Sequence, residues 1–85
     1  MTNLQRLSAV RDAVGQWFAN HAAVDEDSSN LIETLLIRDG FYCGRRFQLG
    51  DCSAIWFAEE QQVKFYDATG QFVESSQEAE IRRAA

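Results

Sequence analysis

The chain has 85 residues, a net charge of −5 and no proline; 46% of it is hydrophobic and 25% charged. That length predicts one domain, 1–85, near the lower limit at which an apolar core suffices without disulfides, metal or association. No apolar run approaches the ~20 residues that a membrane span needs, and the acidic balance argues against a nucleic-acid partner unless a local basic patch overrides it.

Residues 3–22 carry a helical stripe: Leu4, Leu7, Val10, Val14, Trp17, Phe18 and Ala22. Thr2 and Gln5 fit a capping box. Arg6, Arg11 and Asp12 break any secretory apolar core, so the expected compartment is the cytoplasm. Gly15 is a poor helix former, and a close approach of the helix backbone to the sheet would explain it. The polar segment from Asp25 to Asn30 ends the helix as a surface loop.

A sheet is expected over residues 31–74. Asp39-Gly40 and Gly50-Asp51 are two-residue hairpin turns. Glu59 to Gln62 is a polar break, and Ala68-Thr69-Gly70 suits a turn with a glycine bulge. The strands fall at about 31–38, 41–49, 52–59, 62–67 and 71–74, as an antiparallel meander. Ser75 with Glu78 reads as a second capping box, opening a short helix over 76–83, where Glu78 and Arg82 are an i,i+4 pair. The fold class is α+β: an N-terminal helix packed on a four- to five-stranded antiparallel meander, with a short C-terminal helix.

The two hairpin turns set a register, and the register assigns faces. One face collects Ile32, Leu36, Phe41, Cys43, Phe47, Ala54, Trp56, Ala58, Val63 and Phe65, with Thr34 and Arg45 as its polar members, and takes the helix. The other collects Leu31, Leu35, Ile37, Tyr42, Ile55, Phe57 and Tyr66, mixed with Glu33, Arg46, Gln48, Ser53 and Lys64. Glu33 then opposes Arg46 as a cross-strand ion pair. A second apolar face needs a cover. A second copy of the chain, strong bending of the sheet, or the C-terminal helix folded back could each supply it.

Chemistry-bearing motifs are sparse. Cys43 and Cys52 fall ~20 Å apart along the sheet, at ~3.3 Å per residue, too far for a disulfide, and are expected as free thiols. One histidine, His21, in the last turn of the helix, and two separated cysteines give no metal-ligand spacing. No catalytic constellation and no cofactor motif are present, so an enzyme is not expected. Gly44 inside a strand marks a bulge or a close backbone approach. The leading expectation is a non-enzymatic protein-interaction module, a homodimer joined through Leu35, Ile37, Tyr42, Ile55, Phe57, Tyr66 and Arg46. The alternative is a module that binds single-stranded nucleic acid or an acidic ligand through Arg45, Arg46, Tyr42 and Trp56. Alternation along the strand separates Arg45 from Arg46, which counts against a single basic patch. The element order resembles the small bent-sheet barrels that bind RNA, a resemblance of architecture that carries no site residues.

Overall fold

The computed structural model describes the backbone of residues 3–21 and 30–84 and the side chains of 5–21 and 30–81. The order is α1 (Asn3–His21), β1 (Ile32–Arg38), β2 (Phe41–Leu49), β3 (Cys52–Phe57), β4 (Gln62–Tyr66), β5 (Phe72–Gln77) and α2 (Glu78–Ala84). Each strand pairs antiparallel with the next, in spatial order β1-β2-β3-β4-β5. This is the expected α+β meander. The Thr2 cap, most of the 25–30 loop and the Arg82 side chain lie outside the described residues.

The helical stripe becomes the core. Leu7, Val10, Val14, Trp17 and Phe18 are buried against Phe47, Leu49, Cys52, Ala54, Trp56, Val63 and Phe65. Gly15 takes no part in a close approach. It is exposed, and a Cβ placed on it would meet nothing within 4 Å. Gly15→Ala is therefore expected to stabilise the protein by about 0.5–1 kcal/mol, read as a higher urea midpoint. A lower midpoint would mean that the residue serves a contact absent from this structure.

Both hairpin turns close as predicted. Asp39 and Gly40 take φ of 54° and 81°, the pair of left-handed conformations that a type I′ turn requires. Arg38 then faces Phe41, and Leu49 faces Cys52. Between these turns the register changes once. Ile37 pairs with Tyr42 but Leu36 pairs with Gly44, leaving Cys43 without a partner on β1. This β-bulge shifts the pairing of the preceding residues of β1, Ile32 to Leu36, by one residue on β2. Glu33 now opposes Phe47 rather than Arg46, and Leu35 opposes Arg45.

The face assignment of β1 is corrected accordingly. Leu31, Glu33, Leu35 and Ile37 belong to the helix side together with Tyr42, while Ile32, Thr34 and Leu36 belong to the opposite side. The bulge sits where β2 passes close to β3. A Cβ on Gly44 would lie 1.8 Å from the Trp56 carbonyl oxygen, so only glycine fits beside Cys43, unpaired on β1.

The C-terminal boundary also moves. β5 runs to Gln77 because Gln62, Val63 and Lys64 of β4 pair with Gln77, Ser76 and Ser75. A strand ladder satisfies those backbone groups, and the expected capping box at Ser75 loses to it. Helix α2 starts at Glu78 and lies on the same side of the sheet as α1, with Ile81 packed against the core. The tail therefore does not cover the second face. Nor does curvature, since β1 and β5 remain unpaired edges of an open sheet.

Candidate functional site

Three polar networks tie the helices to one face of the sheet. The Glu78 carboxylate is 3% exposed and accepts from the Trp56 indole Nε1 at 2.6 Å and from Arg6 Nε and Nη2 at 3.0 and 2.9 Å. Arg6 Nη2 also donates to the Ala58 carbonyl at 2.8 Å. Trp17 Nε1 donates to Glu74 at 2.6 Å, and its ring stacks between His21, at 4.0 Å, and Phe65, at 4.8 Å. His21 also approaches the Trp17 carbonyl through Nδ1 at 2.8 Å. Glu33 accepts from Arg11 at 2.7 and 2.8 Å and from Arg45 at 2.6 Å. Arg45 Nε donates to the Tyr42 hydroxyl at 3.2 Å.

Hydrogen bonds from Arg11, and then the charges of both arginines, hold the Glu33 carboxyl below its ordinary value against a desolvation that would raise it. A depressed carboxylate contributes stability that is complete above its unfolded pKa of about 4.3 and is lost as pH falls through the folded value. Urea midpoints should therefore drop on acidification below about pH 4.5. Glu33→Gln should make that limb shallower; an identical acid limb in the variant would remove Glu33 as a contributor.

The opposite face of the sheet is covered by neither helix. Its residues form three rows across the five strands. The central row is Thr34, Arg46, Ile55, Lys64 and Ser75. On one side lie Leu36, Gly44, Phe57, Gln62 and Gln77; on the other lie Ile32, Gln48, Ser53, Tyr66 and Phe72. Ile32 and Phe72 are each 57% exposed, and Phe57, Ile55 and Tyr66 are half-buried. Tyr66 meets Phe72 edge to face at 6.0 Å, and the Lys64 ammonium sits 5.3 Å from the Phe57 ring centre. None of these fifteen positions is acidic. The two strand carboxylates, Glu33 and Glu74, are both on the helix side, where Arg11, Arg45 and Trp17 hold them. In a chain of net charge −5, the charged residues among these fifteen positions are thus both cations, Arg46 and Lys64.

A cleft of about 740 Å³ opens on the helix side beside the bulge, lined by Arg6, Leu7, Leu35, Phe41, Tyr42, Cys43, Arg45, Trp56, Ala58 and Glu59. Arg6 lies over the Trp56 ring at 5.5 Å, and Arg45 lies over the Tyr42 ring at 5.8 Å.

The expected interaction set is therefore divided. Ile55, Phe57, Tyr66 and Arg46 share the uncovered face, whereas Leu35, Ile37 and Tyr42 lie across the sheet from them. The Glu33–Arg46 pair is not formed, because the bulge turns Glu33 to the helix side. Of the alternative ligand contacts, Arg45, Tyr42 and Trp56 converge on the cleft, and Arg46 does not. Phe72 was not among the expected site residues: its pairing with Tyr66 depends on a register shift between β4 and β5. Both cysteines are free thiols; Cys52 is buried, and that burial raises its pKa. Among the described residues no cluster could hold a metal ion, and no helix is long and apolar enough to cross a membrane.

No protein-family model, curated protein or solved structure matches the chain.

Proposed function

We propose that this protein is a non-enzymatic interaction module that docks an anionic, base-bearing chain on the uncovered face of its sheet. Single-stranded nucleic acid is the partner that uses both features of that face. The carrying observation is the acid-free grid, with cations in its central row and aromatic rings on both flanks. Arginine and lysine meet phosphates, while Phe57, Tyr66 and Phe72 offer rings for bases to stack on. The homodimer expectation is disfavoured on the same residues. Packing two such faces together buries Arg46 and Lys64 of both copies with no carboxylate from this face, at a desolvation cost of several kcal/mol per ion.

The test is fluorescence anisotropy with short mixed-sequence single strands at low salt. Saturable binding is expected, weakening with salt by a slope of about −0.7 per phosphate contacted. Lys64→Glu and Arg46→Glu should each reduce affinity about tenfold or more, a loss of ~1.4 kcal/mol. Tyr66→Ala and Phe72→Ala should cost about 1–3 kcal/mol each. Arg11→Gln removes a charge from the helix side and should change little. Binding of poly-L-glutamate but not of oligonucleotides would replace nucleic acid by an acidic protein. A dimer that Phe57→Glu dissociates would give the face to a second copy instead.

A further inference from the structure

The bulge at Cys43 shapes a second surface, independent of the uncovered face. It brings Tyr42 to the helix side beside Arg45, and their cleft is walled by Trp56, Phe41, Leu7 and Leu35. A volume of about 740 Å³ falls within the span of small-molecule sites, ~300–1,000 Å³. The exposed walls are Leu35, Phe41 and Tyr42, while Trp56, 2% exposed and lying under Arg6, borders the cleft from the core, so an apolar body with a flat ring fits against the Phe41 and Tyr42 rings.

The polar end of such a ligand is set by charge. Arg6 is matched by Glu78. Arg11 and Arg45 share one carboxylate, Glu33, so this triad carries one excess positive charge. The Tyr42 hydroxyl accepts from Arg45 Nε, which leaves its own proton to donate. A guanidinium of excess charge beside a phenol with a proton to give is a carboxylate-binding pair. Glu59 is the acid lining the cleft, and it is solvent-exposed, where salt screens it.

We propose that the cleft binds a small planar aromatic carboxylic acid, its ring against Leu35, Phe41 and Tyr42 and its carboxylate between Arg45 and Tyr42.

The two tryptophans supply an internal control. Trp56 lines this cleft, while Trp17 lies at a separate groove between α1, β4, β5 and α2. In two-dimensional NMR of the ¹⁵N-labelled protein, titration with 2-naphthoate is expected to move the Trp56 indole resonance saturably and leave that of Trp17 in place. The neutral analogue 2-naphthamide should bind more weakly, by about tenfold, the loss of one charge-assisted contact. Arg45→Gln should remove that difference between acid and amide, and Tyr42→Phe should reduce it. Arg11 keeps Glu33 paired in the Arg45 variant, and Tyr42→Phe provides a second reading should that variant fold poorly. The absence of a saturable Trp56 shift at millimolar naphthoate would overturn the assignment. Equal affinity for acid and amide, or an unchanged preference in both variants, would overturn it as well.

Discussion

Gly44→Ala should either unfold the protein or cost more than about 3 kcal/mol, far beyond the usual loss for one added methyl group. The added Cβ would fall 1.8 Å from the Trp56 carbonyl oxygen and 2.9 Å from its carbon. Both are backbone atoms of β3, so no side-chain rotation relieves the clash. Trp56 cannot retreat either: its side chain is buried under α1 and its indole is held by Glu78. The remaining escape is loss of the bulge, which returns β1 to the other register and turns Glu33 away from Arg11 and Arg45. Urea unfolding measures the cost, and nuclear Overhauser contacts between β1 and β2 report the register. A variant with unchanged midpoint and unchanged contacts would show that the close passage of β2 over β3 is not what sets the bulge.

The second large effect is expected at Glu78. Glu78→Ala leaves the Trp56 indole N–H and the Arg6 guanidinium without the carboxylate that both use. Removing one partner of a buried ion pair typically costs 3–5 kcal/mol. Arg6 is 22% exposed and can recover some hydration, so the lower end, about 3 kcal/mol, is expected here. Glu78→Gln keeps an acceptor for the indole and should cost less. In a double-mutant cycle with Arg6→Ala the two losses should fall well short of additive, since both break one network. Full additivity would mean that the pair is not coupled. Glu78 also anchors the start of α2, through its backbone N–H to the Gln61 carbonyl at 2.8 Å. Loss of helical circular dichroism ahead of the main transition is the accompanying signature.

The functional proposal rests on the same local geometry. Without the bulge, Glu33 would stand opposite Arg46 and partly neutralise the central row. With it, both strand carboxylates serve the helix side, and the uncovered face keeps only its cations. One extra residue in β2 thus decides the sign of a surface, and with it the class of partner that the face can accept.

Much of the site was legible in part. Ile55, Phe57, Tyr66 and Arg46 follow from alternation within β2, β3 and β4, which these strands obey. Leu35, Ile37 and Tyr42 were misplaced because alternation transmits a single register error to a whole strand. Gly44 did signal a bulge, but a lone glycine does not say which residue becomes the extra one. Nor does it say whether the partner strand reverses.

The sequence by itself determined what depends on neighbours along the chain. The helical stripe of α1, the left-handed turn at Asp39-Gly40, the pairings Arg38 with Phe41 and Leu49 with Cys52, and the meander order all follow from short-range chemistry and short connections. Only the tertiary structure decided what depends on residues far apart. Arg6 and Glu78, 72 residues apart, meet through one indole. Glu33 is claimed by Arg11 of a helix that its own strand never touches in sequence. The Trp56 carbonyl leaves no room for a Cβ at Gly44, beside the bulge that sorts the charges. Such contacts form because packing and hydrogen-bond satisfaction are global conditions, met only once every strand has its register.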